Sequence, residues 1–396
     1  MRKRVALVTV ARSDFSILLP LARLMADDPV FDVGLWVGGA HFDPAGGMTV
    51  RDVERTGLPV WARIEGTEFG HTPAGTVAAV ADQLAGFGRI VARGPRPDLV
   101  LILGDRFEAI AAGLALVPHD IPIGHISGGS ISEGAIDDVF RHALTKMAGL
   151  HFCDIPEFAR RIQQMGEEPA RIHTVGALGL DGIHAAPPKP FADFQAHFGF
   201  AGLQPGYVLA TLHPETRAPD QTGPMVKAMV AALAATGRQV IYTYPNADPG
   251  ADVIIPAIEA ARSHGHFVVR NFGVAWFYTA MAHAGLVVGN SSSGIYEAAS
   301  YALPVVDIAG RQKMRFHGAN VLHCGPAQAD IAACIAQATH PAFVASIKGM
   351  VNPYGDGRAA VRVQAVLHGL DWAYLTSPKR FVAVDDSFEG GLAEPT

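Results

Sequence analysis

At 396 residues the chain exceeds one ordinary hydrophobic core and suits two domains of typical size. Hydrophobic residues make up 49 % and charged residues 17 %, the composition of a well-packed globule rather than a disordered chain. A net charge of −6 without any basic tract argues against a nucleic-acid partner, so anionic ligands would need local positive sites. Three cysteines (Cys153, Cys324 and Cys334) are widely spaced and odd in number, which suits a reducing compartment and neither a disulfide framework nor a zinc site. Met1-Arg-Lys-Arg runs into Val5–Val10, too short an apolar run for a signal peptide, and no run is long enough to span a membrane. These features predict a cytoplasmic protein without a membrane partner.

In chain order, short apolar runs of β type alternate with amphipathic stretches, the pattern of parallel sheets covered by helices on both faces. Strands are expected at Val5–Val10, Val33–Val37, Leu99–Leu103, Ile121–Ile126 and His173–Val175, with helices over Ile17–Met25 and Thr76–Arg93. The proline cluster His184-Ala-Ala-Pro-Pro-Lys-Pro190 breaks the pattern. The alternation restarts with Tyr207–Leu212, Gln239–Tyr244, Phe267–Val269, Leu286–Val288 and Pro304–Ile308. The expected architecture is α/β, two Rossmann-like doubly wound domains facing a cleft, over residues 1–183 and 191–376. Ser377–Thr396 mixes Pro, Asp and Gly and reads as a loose tail.

Ligands of such sheets sit beyond the carboxyl ends of the strands, and polar clusters fall there repeatedly. Leu286-Val-Val-Gly-Asn-Ser-Ser-Ser-Gly-Ile-Tyr-Glu297 ends an apolar run in glycines and hydroxyls and then opens a helical pattern. Small residues at a helix N-terminus present free N–H groups and a positive dipole end, which suits phosphate; a serine-rich helix cap is the plainer reading. Thr9–Asp14 follows the first strand and offers Arg12 to a diphosphate. Leu103–Glu108 places Asp105 at a strand end. His125–His142 combines a strand-end histidine, a Gly-Gly hinge, Asp137-Asp138 and Arg141-His142. In the second half, His213, Asn246 and Asp248 follow strands. So many strand-end polar clusters in one chain argue for a shared binding site.

Taken together these stretches resemble the hydrolysing UDP-N-acetylglucosamine 2-epimerases, which supply N-acetylmannosamine and related sugars for sialic-acid-like compounds. The matching segments are Leu103-Gly-Asp-Arg-Phe-Glu108, Gly134-Ala-Ile-Asp-Asp138 with Arg141-His-Ala-Leu-Thr-Lys146, and Val288–Glu297. Arg311-Gln312 and Asn352-Pro-Tyr-Gly-Asp-Gly357 complete an ordered set over roughly residues 4–370. The resemblance implies the B-type glycosyltransferase (GT-B) fold, with the nucleotide bound mainly to the second domain. It implies C2 deprotonation with loss of UDP, then hydration of the glycal with inversion at C2. It implies that Asn290, Ser291, Ser292, Ser293 and Gly294 cradle phosphate and that Glu297 holds the ribose. Arg12, Phe272, Asn246, Arg311, Arg141 and His142 are further implied substrate contacts. Asp105, Asp137, His213, Glu133 and Ser130 form the implied catalytic set. No cofactor and no metal are called for, because the acids are scattered and no histidine pair has ligand spacing. A homodimer or homotetramer is the implied assembly.

One departure bears on the chemistry. The family usually reads His-x-Gly-Gly-Glu, whereas this chain reads His125-Ile-Ser-Gly-Gly-Ser130, so a hydroxyl stands where a carboxylate is usual. A hydroxyl is no base near neutral pH without activation, and Glu133 lies three residues further on. The N-terminal loop also departs, with Val10-Ala11 for the usual Gly-Thr and Ser16 for Gly. Three readings follow: a 2-epimerase acting on UDP-N-acetylglucosamine or a diacetamido relative, a sugar-nucleotide hydrolase or glycosyltransferase of the same fold, and a non-catalytic UDP-sugar binder.

Overall fold

The computed structural model describes residues 2–67, 69–70, 72–132, 136–215, 219–245 and 250–383. The chain divides into two compact units, one of residues 1–130, 134–175 and 360–396, the other of 131–133 and 176–359.

The first unit is built on β1 (Lys3–Thr9), β2 (Phe31–Gly38), β3 (Val60–Ile64), β4 (Leu99–Leu103), β5 (Ile123–Ile126), β6 (Leu150–Cys153) and β7 (Ile172–Thr174). They form one sheet in the order β3-β2-β1-β4-β5-β6-β7, and every pairing is parallel. Parallel strands are covered on both faces, which is why β1 and β4 are almost wholly apolar: Val5, Ala6, Leu7 and Leu99 to Ile102 are all buried. Trp36, Phe87, Ile102 and Leu144 pack one face of this core. The strand order reverses between β1 and β4, so the loops after those strands diverge and leave room for a ligand.

The second unit repeats the plan with β8 (Tyr207–Thr211), β9 (Val240–Thr243), β10 (Phe267–Val269), β11 (Ala284–Gly289), β12 (Val305–Ile308) and β13 (Val321–Cys324). The sheet order is β10-β9-β8-β11-β12-β13, again parallel throughout. Its reversal lies between β8 and β11, the strands that lead to His213 and Asn290. Met229, Tyr242, Val288 and Ile335 belong to its core.

The expected strands are all present. Three more, β3, β6 and β13, were not expected from the sequence. The chain re-enters the first unit at Ala360, whereas the sequence boundary for the second domain was drawn at 376. Gln364 Nε2 and His368 Nε2 meet Asp28 Oδ2 at 2.7 and 2.6 Å. Ser377–Ala383, expected as the start of a loose tail, is held in place. Arg171, 2 % exposed, donates to the Tyr374 carbonyl at 3.2 Å and to Ser377 Oγ at 3.1 Å. Lys379 Nζ reaches the Ala148 carbonyl at 3.0 Å, and the Val382 N–H bonds the Gly166 carbonyl at 3.0 Å. Residues 384–396 lie outside the described residues.

Glu167 anchors this attachment. It is fully buried and meets Lys146 at 2.5 Å, Lys379 at 3.0 Å and His151 Nε2 at 3.2 Å. Burial raises its pKa, but the hydrogen bonds from His151, Lys146 and Lys379 outweigh this and bring it down to about 2 from 4.5. The folded-state value is the lower one, so this group's contribution to stability is complete above pH 4.5 and is lost as pH falls through about 2. Glu167→Gln is expected to cost roughly 2 to 4 kcal/mol in urea unfolding at pH 7, because Lys146, Lys379 and His151 lose the anionic acceptor that joins them at a buried position. It should also remove part of the acid sensitivity between pH 4.5 and 2.

Candidate functional site

In the first unit the predicted residues gather around one guanidinium. Arg141 lies on the helix Ile136–Met147 and is only 4 % exposed. It donates to Asp138 Oδ1 at 2.8 Å and to the Ser130 carbonyl at 3.0 Å, and it forms an ion pair with Asp105. A buried guanidinium needs this many acceptors, since an unpaired one would cost several kcal/mol. The three partners come from the end of β4, the helix and the loop after β5, so Arg141 fixes all three segments together. Asp137 is one residue from Asp138. Burial and then the nearby Asp105 carboxylate raise its pKa, while Arg106 and Arg141 oppose the rise. The shift makes this carboxyl a weaker acid, and its carboxylate a stronger base, than an exposed aspartate. His142 Nε2 lies 3.5 Å from Asp138 Oδ2, and burial lowers its pKa.

His125, fully buried, is a structural tie. Its Nε2 bonds the Gly104 carbonyl at 2.8 Å and its Nδ1 lies 3.1 Å from Thr145 Oγ1. A carbonyl only accepts, so Nε2 carries the proton. Burial lowers the pKa to about 3, and the ring is neutral. Ser130 contributes its backbone carbonyl to Arg141. Glu133 lies outside the described residues, as do Asn246 and Asp248.

Sequence reasoning quoted Asp14, Arg106 and Glu108 without assigning them a role. Asp14 accepts from the N–H groups of Val10 at 2.8 Å and Ala11 at 2.7 Å, clamping the turn that leads into the helix Arg12–Ala26. Burial pushes its pKa up to about 6 against those bonds and the Arg106 charge. Arg106 grips Glu108 through Nε at 3.1 Å and a terminal nitrogen at 2.9 Å. Arg12 itself is exposed, with no side-chain partner among the described residues. An acidic residue three positions into a strand-to-helix turn was the available signal for Asp14.

In the second unit, β11 ends at Gly289 with φ +139°, and a Cβ there would lie 1.8 Å from the Thr211 carbonyl oxygen. Only glycine fits. Asn290, fully buried, then uses its side-chain amide as a backbone substitute. Its Oδ1 accepts from the His213 N–H at 2.7 Å and its Nδ2 donates to the His213 carbonyl at 3.0 Å. Gln312 Nε2 donates to the Asn290 carbonyl at 3.0 Å. Ser293 Oγ meets Ser291 Oγ at 3.0 Å. Within the described residues the N–H groups of Ser291 and Ser292 have no acceptor. The short helix Ser293–Tyr296 follows, and Asn352 Nδ2 supports it at the Tyr296 carbonyl and at Ser300 Oγ, each 2.7 Å away. Glu297 is partly buried near Tyr278 and Tyr301, and burial pushes its pKa up to about 8.

The structure therefore brings Asp105, Asp137, Arg141, His142 and Ser130 together in one unit, and His213, Asn290, Ser291, Ser292, Ser293, Gly294 and Glu297 in the other. Arg311 is exposed on the loop after β12. Phe272 is 6 % exposed among the rings of Phe194 and Phe198, at centroid distances of 5.7 and 5.2 Å. Among the described residues no group of three or more His, Cys, Asp or Glu side chains is arranged to hold a metal ion, and no helix is long and apolar enough to cross a membrane.

Two doubly wound parallel units of this kind define the GT-B fold class, and comparison with solved structures agrees. The UDP-GlcNAc 2-epimerase of Neisseria meningitidis, solved with UDP-GlcNAc, superposes with a TM-score of 0.79 at 15 % identity over 93 % of this chain and 100 % of the other. The Methanocaldococcus jannaschii UDP-GlcNAc 2-epimerase, in complex with UDP-GlcNAc and UDP, gives 0.72 at 16 % identity over 93 % and 100 %. The sequence pattern of the UDP-N-acetylglucosamine 2-epimerases matches residues 23–368, and the chain belongs to that family. A Legionella pneumophila relative, named UDP-N,N'-diacetylbacillosamine 2-epimerase (hydrolyzing), is 29 % identical over 93 % of this chain and 96 % of its own. A Neisseria meningitidis relative named UDP-N-acetylglucosamine 2-epimerase is 28 % identical, with coverages of 81 % and 83 %.

Gly289→Ala is expected to cost about 3 kcal/mol or more, because backbone strain and a clash with the Thr211 carbonyl add. Urea unfolding would measure the loss. Gly202→Ala, also at positive φ but with nothing within 4 Å of the new Cβ, should cost distinctly less.

Proposed function

We propose that this protein is a hydrolysing 2-epimerase that converts UDP-N-acetylglucosamine, or a UDP-linked diacetamido relative, into UDP and the free manno-configured sugar. The observation that carries the reading is the buried Arg141 with Asp105, Asp138 and the raised carboxyl of Asp137 at the strand ends of the first unit. The name and near-full coverage of the Legionella relative support the hydrolysing form.

A sugar C2–H is a very weak acid, so its removal must be coupled to departure of the diphosphate. In this reading Asp137 exchanges the proton, and Asp105 and Arg141 set the field around it. In the second unit His213 faces the diphosphate, which makes UDP a better leaving group. The unpaired N–H groups of Ser291 and Ser292, with Gly294 beside them, receive phosphate oxygens. Glu297 takes hydrogen bonds from the ribose hydroxyls.

Incubation with each sugar nucleotide in heavy water tests the reaction. The expected result is UDP plus a manno-configured sugar carrying deuterium at C2. Release of UDP with unlabelled gluco-configured sugar would point to simple hydrolysis, and UDP binding without turnover to a binder.

The ribose contact has its own signature. Glu297 sits near pKa 8 without nucleotide, and hydroxyl donors stabilise its charged form. Binding UDP should then release a proton, so affinity should rise with pH up to about 8. Calorimetry in two buffers of different ionisation enthalpy would measure that proton. Glu297→Gln should abolish the release and weaken UDP binding roughly 10- to 100-fold, the worth of hydrogen bonds to a charged group.

A further inference from the structure

The loop after β5 and the residue after β6 carry a pair of groups that the reading above leaves unused. Asp154 follows Cys153 at the carboxyl end of β6 and is 5 % exposed. Among the described residues its carboxyl forms no ion pair, and its one side-chain hydrogen bond is with Ser127 Oγ at 2.8 Å. Ser127 follows β5, is partly exposed, and has φ +62°, a left-handed conformation that serine rarely adopts. The loop that holds it is firmly seated. The Ser127 N–H bonds the Phe152 carbonyl at 2.8 Å, Arg161 donates to the Gly129 carbonyl, and Arg141 donates to the Ser130 carbonyl. A Cβ on Gly129 would come within 2.4 Å of the Phe158 carbonyl oxygen, so the loop lies directly on the helix Pro156–Gln164. A strained hydroxyl thus stands over a buried, unpaired carboxyl, on the same loop that supplies Arg141 with an acceptor. A purely structural acceptor for Ser127 would not require an ionisable group in so costly a position.

We propose that Ser127 and Asp154 form a proton relay that supplies acid to the sugar during hydration, taking over work that a glutamate at position 130 would otherwise do. The inference rests on the epimerase reading. In the relay, the glycal C1=C2 electron pair forms the new C2–H bond with the proton of Ser127 Oγ. Asp154 passes its own proton to Oγ and is left as carboxylate, while water bonds to C1 and loses a proton to a carboxylate of the Asp105–Asp137 group. Ser127 touches the sugar; Asp154 acts through it and is a positioning residue. Burial pushes the Asp154 pKa up to about 7, against the Ser127 hydrogen bond and the charge of Arg141, so a proton is present near neutrality. Arg141 on the helix Ile136–Met147, Ser127 from the β5 loop and Cys153 on its own strand are the groups that face it.

The test uses the full-length protein with Ser127→Ala and with Asp154→Asn, which keeps an acceptor for Ser127. Both should bind UDP within about twofold of the parent, lose at least 100-fold in kcat and accumulate glycal detectable by proton NMR. The Asp154→Asn protein should also lose the limb of the kcat–pH profile near 7. Asp154 has its higher pKa in the folded state, so parent stability falls as pH rises from 3.8 to about 7, and the Asn variant should lack that component. If Asp154→Asn fails to fold, the partly exposed Ser127→Ala decides. Variants with kcat within threefold and an unchanged profile, beside an active parent, overturn the relay alone. A parent inactive on both sugar nucleotides overturns the epimerase reading and the relay with it.

Discussion

The candidate site in the first unit depends on the burial of the Arg141 guanidinium. Arg141 is 4 % exposed, and a guanidinium in that position is tolerable only with its acceptors in place. Each acceptor lies on a different segment: Asp105 after β4, Asp138 on the same helix, and the Ser130 carbonyl after β5. The fully buried His125 joins two of those segments again, through the Gly104 carbonyl and Thr145. The position of the helix, and with it the proximity of Asp137 to Asp105, follows from these contacts. Burial raises the Asp137 pKa first, and the Asp105 carboxylate that Arg141 holds nearby adds to the rise, while the Arg141 charge itself opposes it.

The second unit meets the same geometric need without charge. Asn290 bridges the ends of β8 and β11 by offering both halves of its amide to the His213 backbone. A neutral tie leaves the local field to the N–H groups of Ser291 and Ser292, which suits the anion proposed for this loop better than a carboxylate would. Its position is possible only because Gly289 lets the backbone pass the Thr211 carbonyl. Thus one unit ties its strand ends together with fixed charges around Arg141, while the other ties them with the neutral amide of Asn290.

How much of this was legible in the sequence follows from which signals are local. Apolar runs such as Leu99–Leu103 and Leu286–Val288 announce buried parallel strands, and the strand-end rule then picks out Asp105, His213 and Asn290. The strands that escaped notice carry mixed signals: Val60-Trp-Ala-Arg-Ile64 alternates in burial, and Leu150-His-Phe-Cys153 and Val321-Leu-His-Cys324 are four residues long with a histidine inside. Two of the three, β3 and β13, are sheet edges, where full apolar character is not demanded. Missing β6 had a further consequence, because Asp154 is recognisable as a strand-end acid only once that strand is known. Asp14 and the Arg106–Glu108 pair lay in quoted segments, but their roles depend on backbone N–H direction and on burial, which spacing does not reveal. Ser377–Lys379 was read from composition, whereas its attachment comes from Arg171 and Glu167, some two hundred residues earlier.

The serine at position 130 looks different once its contact with Arg141 is known. What Ser130 contributes to the structure is a backbone carbonyl, and every residue type carries one. The side chain at this position can therefore change from carboxylate to hydroxyl without unseating Arg141, the helix Ile136–Met147 or the loop. The contact with Arg141 therefore sets no requirement for a carboxylate at this position. Asp154 lies one strand away and is hydrogen-bonded to the same loop through Ser127. In the proposed relay the fold and the serine-rich turn stay constant while the proton-handling group sits at a neighbouring strand end, which makes the departure at position 130 compatible with the chemistry proposed for the site.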